Sequence, residues 1–212
     1  MVCYGLGLLP VIRHLSQKHP SVHQLWYADD AAVAAKFSVL DELYKTLMDI
    51  GPKHGYYPQS HKCVLITSHQ ESARLAFPPA TPGMDCFFRL TTGARYLGGF
   101  VGEEAPFHTW LAEKTATWTS YIDCYAEACV SHPHSAYCGI QQSLQHEWQF
   151  VQRTNPCPSR FFQSMEDALS SVVIPNLFNQ SSAPVSRQIT KLSARAAGLG
   201  IFDPTDTALT GV

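Results

Sequence analysis

Apolar positions recur along this chain with two different periods, and the switches between them mark out the elements. At the start, Tyr4, Leu8, Leu9, Ile12 and Leu15 follow helical spacing, which predicts an amphipathic helix running from the first residue. Residues 23–28 then read as a short strand and 31–35 as its return, with two adjacent carboxylates, Asp29 and Asp30, at the turn between them. Phe37, Leu40, Leu43, Leu47 and Ile50 trace one face of a second helix, with Ser38 and Asp41 spaced as a capping box at its start. Gly51, Pro52 and Gly55 in "GPKHGYYPQSHK" stop that helix. "CVLIT" at 63–67 reads as a compact buried strand. "RYLGGFVG" at 95–102 is a further β segment whose glycines suit a tight hairpin or a close backbone approach.

From residue 105 onward the pattern is helical. "HTWLAEKTATWTSYIDCYAEACV" places Trp110, Leu111, Trp118, Tyr121, Ile122 and Tyr125 near helical spacing. "AYCGIQQSLQHEWQFVQR" and "RFFQSMEDALSSVVIPNLF" read as two more helices, separated by the proline-rich break at 156–158. The expected class is α+β, with a boundary near residue 103. Residues 1–103 hold helices and short antiparallel strands, 104–196 form a helical region, and 197–212 are a C-terminal tail. The Ser-rich piece at 181–186 is a loop, and no internal repeat stands out.

Composition narrows the class without naming a function. Hydrophobic residues make up 45% of the 212 positions and charged residues 15%, so the chain is globular rather than disordered. A formal net charge of -2 gives no bulk signal for a polyanionic partner. The seven cysteines include no C-x-x-C pair and are odd in number, which points to a reducing, intracellular compartment. The opening apolar stretch is too short to span a bilayer, and no basic residue precedes it as in a signal peptide.

Two carboxylates set between apolar segments need an explanation. Burying them unpaired carries a large desolvation cost. A hard divalent cation such as Mg²⁺ removes that cost and takes one or two protein carboxylates, and paired metals serve polymerases and nucleases. The plainer alternative is a solvated turn, where Asp is favoured in any case. A second cluster, Cys129, His132, His134 and Cys138, offers four potential zinc ligands within ten positions. Its His-x-His spacing is split by Pro133 at an interhelical turn, so zinc is not expected there. Cys3, Cys63, Cys86, Cys124 and Cys157 read as small buried hydrophobes.

"WYADD" resembles the catalytic turn of reverse transcriptases in its Y-x-D-D form, and the segments that follow keep that family's order. Gly55 and Lys62 fall at the positions of its next palm motif, with Lys62 just before a strand. "RYLGGFVG" is similar to the hairpin that contacts the primer. "AYCGIQQSLQHEWQFVQRTNP" and "LSARAAGLGIFDP" resemble the thumb and post-thumb segments of retrotransposon-encoded enzymes.

The resemblance implies a partial polymerase palm at 1–103 and a helical thumb from 104, acting on an RNA template, a DNA primer and deoxynucleotides with Mg²⁺. Asp29 would be the metal-binding carboxylate at the primer 3′ end, with Asp30 supporting it. Tyr27 and Ala28 would shape the turn beneath the primer terminus. Lys62 would lie near the leaving pyrophosphate as general acid or charge neutraliser. Tyr96, Leu97, Gly98 and Gly99 would form the primer-contacting hairpin.

The chain also departs from the family. An upstream strand-borne aspartate completes the metal site there, whereas residues 1–28 contain no acidic residue. The glutamine-glycine segment that positions the nucleotide is missing, as are the fingers. The expectation is a chain that begins just after that segment and is not competent alone. The alternative is a non-catalytic retroelement remnant that binds at most nucleic acid or a protein partner. Candidate phosphate contacts are Lys53, Lys62, Lys114, Arg153, Arg160, Arg187, Lys191 and Arg195, a scattered set typical of solvated surface.

Overall fold

A computed structural model describes residues 2–27, 30–78, 87–179 and 184–210. The chain divides into two compact units, 1–92 and 93–212. The division falls ten residues before the change in composition near 103, so the hairpin at 93–102 belongs with the helices that follow it. Both units mix helices with a few short strands, and helix predominates.

The first unit is built on α1 (Val2–Lys18) and α2 (Phe37–Ile50). Leu8, Val11 and Leu15 are buried, an i, i+3, i+7 stripe, and Val11 and Leu15 pack with Leu43 and Leu47 of α2. Val11 is therefore the inward residue of its turn and Ile12 lies at the margin, half-buried. The side chain of Tyr4 lies outside the described residues. The apolar face of α2 serves two clusters: Leu43 and Leu47 meet α1, while Phe37 and Leu40 pack on Phe77 and Phe88. The capping box is not formed. Lys36 is the N-cap, no side chain caps the helix, and Asp41 instead pairs with Lys45 at 2.6 Å. With the helix opening at Phe37, Ser38 sits inside its first turn, two residues past the capping position.

Between these helices β1 (His23–Tyr27) and β2 (Asp30–Ala34) form an antiparallel hairpin. β3 (Val64–Ile66) pairs with β4 (Arg89–Thr91), and this ladder is parallel, contrary to the antiparallel strands expected throughout. The connection includes α3 (Gln70–Ala76), and a parallel pair needs such a crossover.

The second unit opens with a hairpin, β5 (Gly93–Tyr96) and β6 (Gly99–Gly102), followed by the 28-residue α4 (Glu104–Ser131). α5 (Pro133–Gly139) and α6 (Gln145–Thr154) are joined by a π-helical turn, Ile140–Leu144. α7 (Gln163–Ala168) and α8 (Ile174–Phe178) are joined by another, Leu169–Val173. α9 (Pro184–Thr190) and α10 (Pro204–Thr210) complete it. Leu111, Trp118 and Ile122 of α4 share a core with Ile140, Leu144, Trp148, Phe162, Met165 and Leu169.

The last segment is not a free tail. Gln145, 2% exposed, donates to Gly200 O (3.0 Å) and accepts from Phe202 N (2.8 Å). Gln152 donates to Pro204 O (2.8 Å), and the Tyr137 hydroxyl donates to Leu199 O (2.9 Å). These buried side chains satisfy backbone groups that no strand pairs. Arg187 forms a fork on Glu166, Nε to Oε1 at 2.7 Å and Nη2 to Oε2 at 2.6 Å, and also donates to Ile201 O at 2.7 Å. Among the described residues, no helix is long and apolar enough to cross a membrane.

Candidate catalytic turn and primer-contacting hairpin

The first hairpin runs in full register from His23↔Ala34 to Tyr27↔Asp30. The side-chain period of two then decides what each residue faces. Gln24 and Trp26 point to one side, where Trp26 packs on the α1–α2 core and meets Tyr56 edge-to-face at 5.5 Å. Leu25 and Tyr27 point to the other and are exposed, at 54% and 57%. Asp30 opens the return strand opposite Tyr27 and is exposed. Ala28 and Asp29, the two residues linking this closing pair, lie outside the described residues.

Lys62 ends a short 3₁₀ turn, Ser60–Lys62, two residues before β3, and its side chain is exposed. Its surroundings are apolar on the inner side. The neighbouring Cys63 thiol is pushed up by burial and donates to Gln59 O at 3.3 Å. Burial also raises the Tyr44 hydroxyl, with Cys63 adding to the rise and a hydrogen bond with Ser60 opposing it. Gly55 adopts φ +78 at the end of the preceding 3₁₀ turn, Gly51–His54, a left-handed conformation that suits glycine.

Tyr96, Leu97, Gly98 and Gly99 form the tip of the hairpin in the second unit. Tyr96 pairs with Gly99, leaving Leu97 (φ 47) and Gly98 (φ 85) as a two-residue turn with both φ positive, the type I′ pattern. Glycine suits the second position, but a leucine in the first is strained. Gly99 is buried, and a Cβ there would stand 3.2 Å from Asn155 Oδ1. The missing side chain lets Asn155 reach the strand, accepting from Phe100 N (3.2 Å) and donating to Phe100 O (2.8 Å). Sequence reasoning passed over Asn155. Its only signal is an Asn-Pro step closing α6, which reads as a helix stop.

Three of the basic candidates pair with carboxylates of this chain. Lys53 pairs with Asp49 (3.2 Å), Arg187 with Glu166, and Lys191 with Asp206 (2.9 Å). Lys114 lies over the Trp118 ring at 5.8 Å and Arg160 over Phe161 at 5.1 Å. Cys129 is buried at the end of α4, His132 is the single residue between α4 and α5, and Cys138 Sγ approaches His134 Nε2 at 3.8 Å. Among the described residues, no three His, Cys, Asp or Glu side chains converge as a metal site. Of the other cysteines, Cys157 is buried as expected, Cys63 is half-buried and Cys124 is exposed, on the outer side of α4. The side chains of Cys3 and Cys86 lie outside the described residues. No protein-family model, curated protein or solved structure matches this chain.

Proposed function

We propose that this chain is a reverse-transcriptase-like nucleotidyltransferase domain of retrotransposon type, with its palm at 1–103 and its thumb from 104. The observation that carries the reading is the register of the first hairpin. Pairing of Tyr27 with Asp30 puts the Y-x-D-D segment at the closed end of a hairpin, with Asp29 between the paired residues in sequence and Asp30 first in the return strand. The strained turn at Leu97 and Gly98 adds support. An exposed leucine kept at positive φ, where Asn or Gly would relax, is the kind of strain found at functional contacts.

The donor set suits Mg²⁺ in kind, since carboxylate oxygens are its preferred protein ligands. By themselves, Asp29 and Asp30 would hold one hydrated cation weakly. A cation bound there would neutralise charge on a phosphate brought to the turn. Tyr27 and Ala28 would set the shape of the surface beneath a primer end, and Lys62 would offer a mobile positive charge to a leaving group. The second reading is a non-catalytic remnant that at most binds nucleic acid or a protein partner.

Manganese titration followed by electron paramagnetic resonance tests the turn directly. One weak site is expected in the native chain, and none in Asp29→Asn/Asp30→Asn. Unchanged manganese uptake in that variant would sink the assignment. Primer extension separates the two readings: activity that vanishes on Asp29→Ala supports catalysis. Salt-sensitive duplex binding without extension supports the remnant.

A further inference from the structure

Among the described residues, the strand that carries Asp30 pairs with β1 alone, and Asp30, Ala31, Val33 and Ala34 along it are exposed. Within β1, Gln24 and Trp26 are the half-buried residues. Trp26 lies opposite Ala31, the residue after Asp30, one rung from the closing pair of Tyr27 and Asp30. Asp30 is open to water, so the preorganisation available to it comes through the ladder, and the ladder is held to the α1–α2 core at Trp26.

Trp26 is gripped from two sides. Its ring meets Tyr56 edge-to-face at 5.5 Å. Its indole N–H donates to Gln24 Oε1 at 3.1 Å, and Gln24 Nε2 donates to Ser16 Oγ of α1 at 3.4 Å, which ties the indole to that helix. Tyr56 is placed in turn by Gly51 at the end of α2. The Tyr56 N–H donates to Gly51 O at 2.9 Å, and a Cβ on Gly51 would stand 2.6 Å from Tyr56 O, an approach that a glycine alone admits. An edge-to-face aromatic pair has a preferred geometry, so Tyr56 constrains the orientation of the indole as well as covering it.

We propose that Trp26, braced by Tyr56, is a positioning residue for Asp30 and sets where the closed end of the hairpin presents that carboxylate. Its role toward a cation rests on the polymerase reading, whereas its anchoring of the hairpin does not. The test uses the full chain, with manganese affinity read by electron paramagnetic resonance and the hold on residues 25–33 read by amide hydrogen exchange. Trp26→Leu and Tyr56→Leu keep an apolar side chain but lose the ring-on-ring contact, and Tyr56→Phe keeps it. Both leucine variants should exchange about tenfold faster at 25–33 with the amides of α1 and α2 unchanged, and should bind manganese about threefold more weakly. Tyr56→Phe should restore both. A tryptophan that served stability alone would speed exchange across the whole first unit. Exchange at 25–33 that is unchanged in the leucine variants, exchange that rises equally in α1 and α2, equal losses in Tyr56→Phe, or faster exchange with manganese affinity intact each overturns the proposal. A native chain that takes up no manganese removes the polymerase reading instead, and the exchange comparison then decides the anchor by itself.

Discussion

Removing Arg187 tests whether the C-terminal segment is built into the second unit or only rests upon it. Its guanidinium and the Glu166 carboxylate are 13% and 12% exposed, so solvent does little to weaken the pair. Arg187→Ala strands a largely desolvated carboxylate, and breaking a buried pair from one side costs about 3–5 kcal/mol. It also removes the donor to Ile201 O, whose residue is fully buried. For residues 93–212, unfolding entropy near 2 cal/mol/K per residue converts each kcal/mol into about 4 °C. The melting point of this unit should therefore fall by about 12–20 °C. Fluorescence of Trp118 and Trp148, both buried in this unit, follows the transition, with circular dichroism as a second probe. The double variant Glu166→Leu/Arg187→Leu should recover much of the loss, because the damage comes from the stranded charge and not from lost attraction. A fall below about 4 °C for the single variant, or a double variant no better than the single, would refute the reasoning.

Three further outcomes follow from the same geometry. Leu97→Asn should raise the stability of the second unit by about 0.5–1 kcal/mol in urea titration, since asparagine accepts the positive φ that leucine resists. Asn155→Ala should cost about 1–3 kcal/mol by the same measurement, because Phe100 N and O lose their partner together. Burial pushes the Cys157 thiol up to about 12, so the folded state keeps its proton where the unfolded thiol loses it. Stability from this group is whole below about pH 8.5 and declines above it by about 1.4 kcal/mol per unit until pH 12. Urea midpoints at pH 8 and pH 10 should converge in Cys157→Ala relative to the native chain, and an unaltered gap would contradict the burial.

Elements with a long, regular apolar period were legible in the sequence. α1, α2, α4 and the run from α5 to α8 all follow from spacing, as do the two hairpins. Three things were not. The parallel β3–β4 pairing was hidden because β4 spans three residues, too few to show a period, and its partner lies beyond a helix. The capping box failed because Ser-x-x-Asp matches a pattern that a helix starting two residues earlier makes irrelevant. The attachment of residues 197–212 was not legible because its anchors, Gln145, Gln152 and Arg187, are polar yet little exposed, and a polar letter in a sequence reads as surface. At the candidate site, position along the chain could place Lys62 just before a strand and Gly98 on a turn; Asp30, expected at a turn, is instead the first residue of β2, and Asn155 was not legible because its role depends on a contact 55 residues away.

The first hairpin sets the surroundings of Asp30. A two-stranded ribbon holds its shape poorly in water unless one face is packed, and here the packed face is carried by Trp26 with Gln24 beside it. The opposite face, Leu25 and Tyr27 with Asp30 across from Tyr27, is open to solvent. An exposed carboxylate such as Asp30 on such a ribbon keeps its hydration, so the cation proposed there would gain little from preorganisation. Affinity at Asp29 and Asp30 should then rise when the exposed face is covered or the ribbon gains a third strand. Tyr27→Ser separates the two contributions: it removes apolar surface from that face without touching a carboxylate. Manganese uptake that stays constant in Tyr27→Ser while duplex binding weakens would assign Tyr27 to the nucleic acid. A parallel loss of both would make it a support for the turn.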